Sequence, residues 1–153
     1  MTKEDKELLL KDLCARLSYG IKISPKEKDT GEYDISGGRN YMYPDVIEVE
    51  AFIPDGDNTR IEYGDWIVYL DNIQLYLRPM SSMTEEEKKK YKSFFWNHHH
   101  EWDGYTTCTE CIIAERLQDF LEFAYSHHFD YRGLIEKGLA LEATEGMYNE
   151  KEK

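Results

Sequence analysis

Leu9, Leu10, Leu13, Cys14 and Leu17 recur at three- and four-residue steps, with Lys3, Lys6, Lys11 and Asp12 on the other side. That period predicts an amphipathic helix over residues 3 to 17, ended by Tyr19-Gly20. Cys14 falls on the apolar stripe and reads as a small core residue. Ile21-Lys22-Ile23 begins a strand, and residues 24 to 44, rich in Pro, Gly and acids, read as a surface loop with a short strand near Tyr33 to Ile35. From residue 46 to 77 the period falls to two. Ile47, Val49, Ala51 and Ile53 alternate with Glu48, Glu50 and Phe52, which predicts one strand with the first four on its buried face. "PDGDN" (54 to 58) is a turn, Ile61 and Tyr63 mark the returning strand, and Gly64-Asp65 turns again. "WIVYL" then reads as a strand, "DN" (71 to 72) as a tight turn and "IQLYL" as a last strand.

Arg78-Pro79 breaks the sheet pattern, and Thr84 with Glu87 forms a capping box opening the helix "TEEEKKKYKSFFWNHH". Glu85–Lys89 and Glu86–Lys90 are spaced for i,i+4 pairs along a solvated face. Thr107 and Glu110 repeat the capping box ahead of a third helix with Ile113, Leu117, Phe120, Leu121 and Ala124 as its apolar stripe. In "HHFDYRG", which ends that helix, Asp130 and Arg132 are placed to pair across a tight turn. "LIEKG" is a helical turn stopped by Gly138, "LALEA" a closing strand, and the last ten residues a polar, frayed tail. The fold class predicted is α+β: a small antiparallel curved sheet or partly open SH3- or OB-like barrel of about five strands, packed with three helices. One domain over 1–153 is expected, with an N-terminal helix (1–17), a β-rich part (19–77), a helical hairpin (84–128), a turn and closing strand (129–143) and the tail (144–153).

Charge changes this picture. The formal net charge is −12, and residues 25 to 65 hold eleven acids against Lys26, Lys28, Arg39 and Arg60. Residues 97 to 130 hold seven acids against Arg116 alone. Such a field repels phosphate backbones, which disfavours direct nucleic-acid binding, and attracts a basic protein. Aromatics make up 14% of the chain, including 12 Tyr, a supply suited both to a β-rich core and to a contact surface. No apolar run has the length of a membrane span, and Met-Thr-Lys-Glu-Asp is no signal peptide. Three cysteines, an odd number, argue against a disulfide framework and for a reducing cytoplasm.

Candidate chemistry is confined to "NHHHEWDGYTTCTEC" (97 to 111). His98 or His100 with Cys108 and Cys111 could hold zinc if the two flanking helices form a hairpin. The spacing fits no zinc finger or ribbon, since the second ligand pair would be neighbouring histidines rather than H-x₃₋₅-H. The deaminase pattern fails too, because no proline precedes Cys108 and six residues are too few between His100-Glu101 and the cysteines. A thioredoxin-like pair needs a βαβ setting that is missing here. The reading adopted is structural: histidines near a helix C-terminus and cysteines packing in a first helical turn. "SGGR" (36 to 39) lacks the ending of a phosphate loop, and Asp55 and Asp57 sit in a turn as solvated turn formers.

At "LKDLCARLSYGIKI", "LYLRPMSSMTEEEKKKY" and "HHFDYRGLIEKGLALEATEGMY" the chain resembles a family of small uncharacterised proteins encoded by phages, prophages and mobile elements of gut bacteria. Family members usually carry Pro where this chain has Ser18 and Thr144, and the His/Cys stretch lies outside the family pattern. The resemblance implies a genomic setting of accessory genes, some of which inhibit or redirect host proteins, and transfers no site residue. The function expected is therefore a small acidic, non-enzymatic accessory protein that binds a basic or nucleic-acid-binding host protein in the bacterial cytoplasm. Two other readings stand beside it. One is a zinc-binding module or zinc-dependent enzyme centred on Cys108 and Cys111. The other is a nucleic-acid-binding barrel with Trp66, Tyr69 and Tyr76 as stacking platforms.

Overall fold

The computed structural model describes residues 1–26, 44–53, 59–63, 66–95 and 109–148, with the side chains of 63, 66, 95 and 109–115 outside that description. Helix α1 spans Lys3–Arg16 and starts at a capping box, in which Thr2 Oγ1 accepts from the Asp5 amide (3.1 Å) and Asp5 accepts from the Thr2 amide (3.2 Å). Gly20 ends the helical turn that follows at φ 73°, a left-handed conformation suited to glycine. A Cβ there would also stand 3.1 Å from Glu48 Oε1.

Among the described residues seven strands follow: β1 (Lys22–Pro25), β2 (Ile47–Glu48), β3 (Ala51–Ile53), β4 (Arg60–Tyr63), β5 (Trp66–Tyr69), β6 (Ile73–Leu77) and β7 (Ala140–Glu142). They form a four-stranded sheet in the order β2-β1-β6-β7 and a three-stranded sheet in the order β3-β4-β5. All pairs are antiparallel except β6 with β7, which is parallel. The α+β class is therefore observed, with two small sheets that do not close into a barrel. Helices α2 (Glu85–Phe95) and α3 (Thr109–Ser126) bring the α-helices of the described residues to three and pack on one another.

The chain crosses between the sheets twice, and both crossings correct the sequence reading. Residues 47–53 are not one strand. The Val49 amide donates to Ile21 O (3.0 Å) in the first sheet, and the next amide, of Glu50, donates to Glu62 O (3.4 Å) in the second. The change of partner shifts the alternation by one residue. Ile47 and Val49 are buried as predicted, but beyond them Phe52 packs on the core and Ile53 faces outward. The second crossing is at Leu70–Asn72, a 3₁₀ turn. Here "DN" closes no hairpin, because β5 pairs with β4 while β6 pairs with β1 and β7.

The main core draws Leu9 and Leu13 from α1, Ile23 from β1, Ile61 and Val68 from the second sheet, alternate residues Ile73, Leu75 and Leu77 from β6, and Leu134. Burying these apolar side chains is the dominant favourable term in folding. A second, aromatic cluster joins the helical pair to the sheet through Met83, Phe123 and Phe129, with Tyr91 and Phe94 packed against it. On α3 the inward residues are Phe120, Phe123 and Ala124, whereas Leu117 is exposed. The stripe is thus rotated from the predicted one toward the face that meets α1 and α2. Cys14 is exposed, not a core residue. The expected tight-turn pair of Asp130 with Arg132 is replaced by other partners, described below.

Helix α2 begins as the sequence predicts. Thr84 Oγ1 accepts from the Glu87 amide (3.2 Å) and Glu87 Oε2 accepts from the Thr84 amide (2.7 Å). Glu85 pairs with Lys88 at i,i+3 (2.7 Å) rather than with Lys89. Thr84→Ala should cost about 0.5–2 kcal/mol through loss of the cap, measurable by urea denaturation.

Candidate functional site

Of the residues singled out for zinc, His98, His100 and Cys108 lie outside the described residues, as do the Thr107 cap and the turn with Asp55 and Asp57. Cys111 lies in the first turn of α3, but its side chain is not described. Among the described residues no three His, Cys, Asp or Glu side chains are placed to hold a metal ion.

The distinctive stretch Phe129-Asp130-Tyr131-Arg132 is an anchor. Asp12 and Arg16, one turn apart on α1, are both fully buried. The Arg16 guanidinium donates to both Asp12 oxygens (2.6 and 3.3 Å), to Ala124 O (3.3 Å) and to Phe129 O (2.7 Å). Asp12 is therefore not on the solvent face that its charge predicts; pairing and hydrogen bonding let both charges lie inside. Asp130 accepts from the Leu134 and Ile135 amides (2.8 and 2.9 Å), which caps the turn ended by Gly138. Arg132 donates to the hydroxyls of Tyr131 (2.7 Å) and Tyr125 (3.0 Å) and lies 3.4 Å from Asp12. Burial first, and then the Tyr125 hydrogen bond, push the Tyr131 phenol up to about 12, so it stays protonated at neutral pH. The circuit joins α1, α3 and the following turn through hydrogen bonds to internal acceptors.

His128 is next to it, buried, with a left-handed backbone (φ 57°). Its Nε2 lies 3.1 Å from Tyr19 O, and a carbonyl only accepts, so Nε2 carries the proton. Nδ1 is left buried with no hydrogen-bond partner among the described residues. Burial first, and then the charge of Arg16, depress the imidazole to about 3. Its ring stacks on Tyr148 at 3.6 Å. Tyr148 donates to Tyr76 O (2.7 Å) and accepts from the Lys22 amide (3.0 Å). Lys22 Nζ bonds Met147 O and lies 5.4 Å from the Tyr148 ring centroid. Residues 144–148 are therefore docked on the sheet, a correction to the frayed tail expected there.

An open cleft of about 570 Å³ separates this docked segment from the start of α2. Arg78 forms one wall. It holds Glu87 through two contacts (2.8 and 3.0 Å) and stacks over Phe129 at 4.4 Å. Burial works against the Glu87 carboxylate, but hydrogen bonds from Arg78 and the Thr84 amide hold it down at about 2. Glu142 and Glu145 form the opposite wall. With Arg78 already neutralised, the cleft presents excess negative charge and no nucleophile hydrogen-bonded to a base.

Among the described residues, three exposed large apolar side chains lie on the outer face of the three-stranded sheet. Ile53, Arg60 and Tyr69 lie side by side in one row, and Ala51, Glu62 and Ile67 in the next. Ile53, Ile67 and Tyr69 are 37%, 43% and 49% exposed, while Phe52, Ile61 and Val68 turn inward from the other face. Sequence reasoning missed this surface, although "WIVYL" carried the signal, being an unbroken apolar run in an antiparallel strand. Of the proposed stacking trio, Tyr69 belongs to the three-stranded sheet and Tyr76 to the other, while the Trp66 side chain lies outside the described residues. No helix of the described residues is long and apolar enough to cross a membrane. In comparisons with known proteins, no family model, no curated protein and no solved structure matches this chain.

Proposed function

We propose that this chain is a small acidic accessory protein, of the phage or mobile-element type that its sequence resembles, and that it acts without catalysis by binding a basic protein. The observation that carries the reading is the outer face of β3-β4-β5. Ile53, Ile67 and Tyr69 are exposed there around Arg60 and Glu62, where an antiparallel sheet ordinarily presents polar side chains throughout. Charge supports the choice of partner. The chain carries −12 overall, and Glu48 and Glu50 are exposed at the corner beside the apolar rows. A basic, nucleic-acid-binding host protein complements such a surface in both respects, with apolar contacts for affinity and charge for encounter rate.

The test compares affinity capture from bacterial lysate by the wild-type chain and by an Ile67→Asp/Tyr69→Ser variant, with mass-spectrometric identification at two salt concentrations. The expected result is a protein of net positive charge that the wild type retains at low salt, loses progressively as salt rises, and that the variant does not retain. The same proteins on both baits, or none specific to the wild type, would overturn the reading.

A further inference from the structure

The groove between α2 and α3, about 350 Å³ in volume, combines two aromatic rings with two carboxylates. Phe94 from α2 and Phe123 from α3 stand 5.5 Å apart, centroid to centroid, and Asp119 and Glu122 line the groove from α3. His127 closes one end, with its ring 4.5 Å from that of Phe123 and its Nδ1 3.0 Å from Phe123 O. Asp119 and Glu122 are exposed and make no ion pair among the described residues.

Lys90 shows what kind of group the site accepts. The sequence spacing places it to pair with Glu86, yet its ammonium lies 5.6 Å from the Phe123 ring centroid. That is inside the roughly 6 Å over which a cation is drawn to an aromatic face. One lysine against two carboxylates leaves the groove one negative charge in excess. Lys90 is exposed and long, so its head can swing into solvent at little cost. We propose that the groove receives a lysine or arginine side chain of the protein partner, which takes the place of Lys90 over Phe123 and pairs with Asp119 and Glu122. The assignment rests on the binding reading above and adds a second contact point, on the helical pair rather than on the sheet.

The experiment titrates the full chain with the N-acetylated, C-amidated tripeptides Gly-Arg-Gly and Gly-Lys-Gly, with Gly-Gln-Gly as the uncharged control. NMR resonances of the Phe94 and Phe123 rings report binding. The cationic peptides should shift both rings saturably and the control should not. Lys90→Ala, which removes the internal competitor, should tighten binding about threefold, and Asp119→Asn/Glu122→Gln should weaken it about tenfold. All three positions are exposed, so circular dichroism should show the fold retained. Absence of saturable shifts in both the wild type and Lys90→Ala would overturn the proposal, as would weaker or unchanged binding in Lys90→Ala. The two readings fail separately. A partner captured through Ile67 and Tyr69 while the peptides leave the groove untouched would remove the groove and keep the binding function. Peptide seated in the groove with no partner captured would do the reverse.

Discussion

Arg16→Met is expected to destabilise the fold by about 3–5 kcal/mol, the cost of leaving one member of a buried ion pair unmatched. Arg16 has no exposed surface, and among the described residues it alone holds Asp12 with both a short contact and a second hydrogen bond. Its loss strands the Asp12 carboxylate in the interior. Arg132, 3.4 Å from Asp12 and partly exposed, offsets part of the loss and places the effect toward the lower end of the range. The two carbonyls that Arg16 also serves fare better. Ala124 O still accepts from the Phe129 amide (2.9 Å) and Phe129 O from the Tyr131 amide (3.0 Å). The double variant Asp12→Leu/Arg16→Met should therefore recover a substantial part of the loss, because neither member of the pair is left buried without the other. Urea midpoints of the two variants and the wild type decide the matter. A single variant within about 1 kcal/mol of wild type would show that the pair is dispensable for stability.

The second large effect is acid sensitivity. His128 has a folded-state pKa of about 3, below its ordinary value of 6.5. The unfolded chain therefore takes up a proton as pH falls below 6.5, while the folded chain does not. Stability is present in full above 6.5 and drains away between 6.5 and 3. At 1.36 kcal/mol per pH unit, the loss is about 2 kcal/mol at pH 5 and about 3 kcal/mol at pH 4. Glu87, held at about 2 against an ordinary 4.5, has the same sign and adds its loss only below 4.5. The groups around His128 work in the same direction, since Arg16 and Lys22 both oppose a positive ring. His128→Asn isolates the effect, because asparagine tolerates the left-handed backbone at this position and does not titrate. The wild-type stability minus that of the variant should fall steeply from pH 6.5 to 4.5, and a flat difference would contradict the assignment.

Local signals were legible in the sequence. The Thr84–Glu87 capping box, the N-terminal helix, the alternation in "IQLYL", the closing strand and the stop at Gly138 each depend on a few neighbouring residues, and each element lies where the sequence places it, although α1 presents other faces and β7 pairs parallel rather than antiparallel. What was misread depends on distant partners. A charge pattern places Asp12 in solvent, and only the carbonyls of Ala124 and Phe129, more than a hundred residues away, make Arg16 and its partner buried. Alternation through 47–53 cannot reveal that consecutive amides at 49 and 50 bond to different sheets. The docking of Tyr148 under His128 rests on Lys22, Tyr76 and a positive φ, none of which has a local signature. The candidate binding face shares this origin. Ile53 stands in solvent because the phase slips at the first crossing, which turns a predicted core residue outward.

The central claim is that an exposed apolar sheet face engages a basic protein. Hydrogen exchange of this chain, alone and with the captured partner present, tests it most directly. The account predicts slowed exchange in residues 51–53, 60–63 and 66–69, with Ile67→Asp/Tyr69→Ser abolishing the protection. Protection confined to other segments, with these three strands exchanging as fast as in the lone chain, would contradict it.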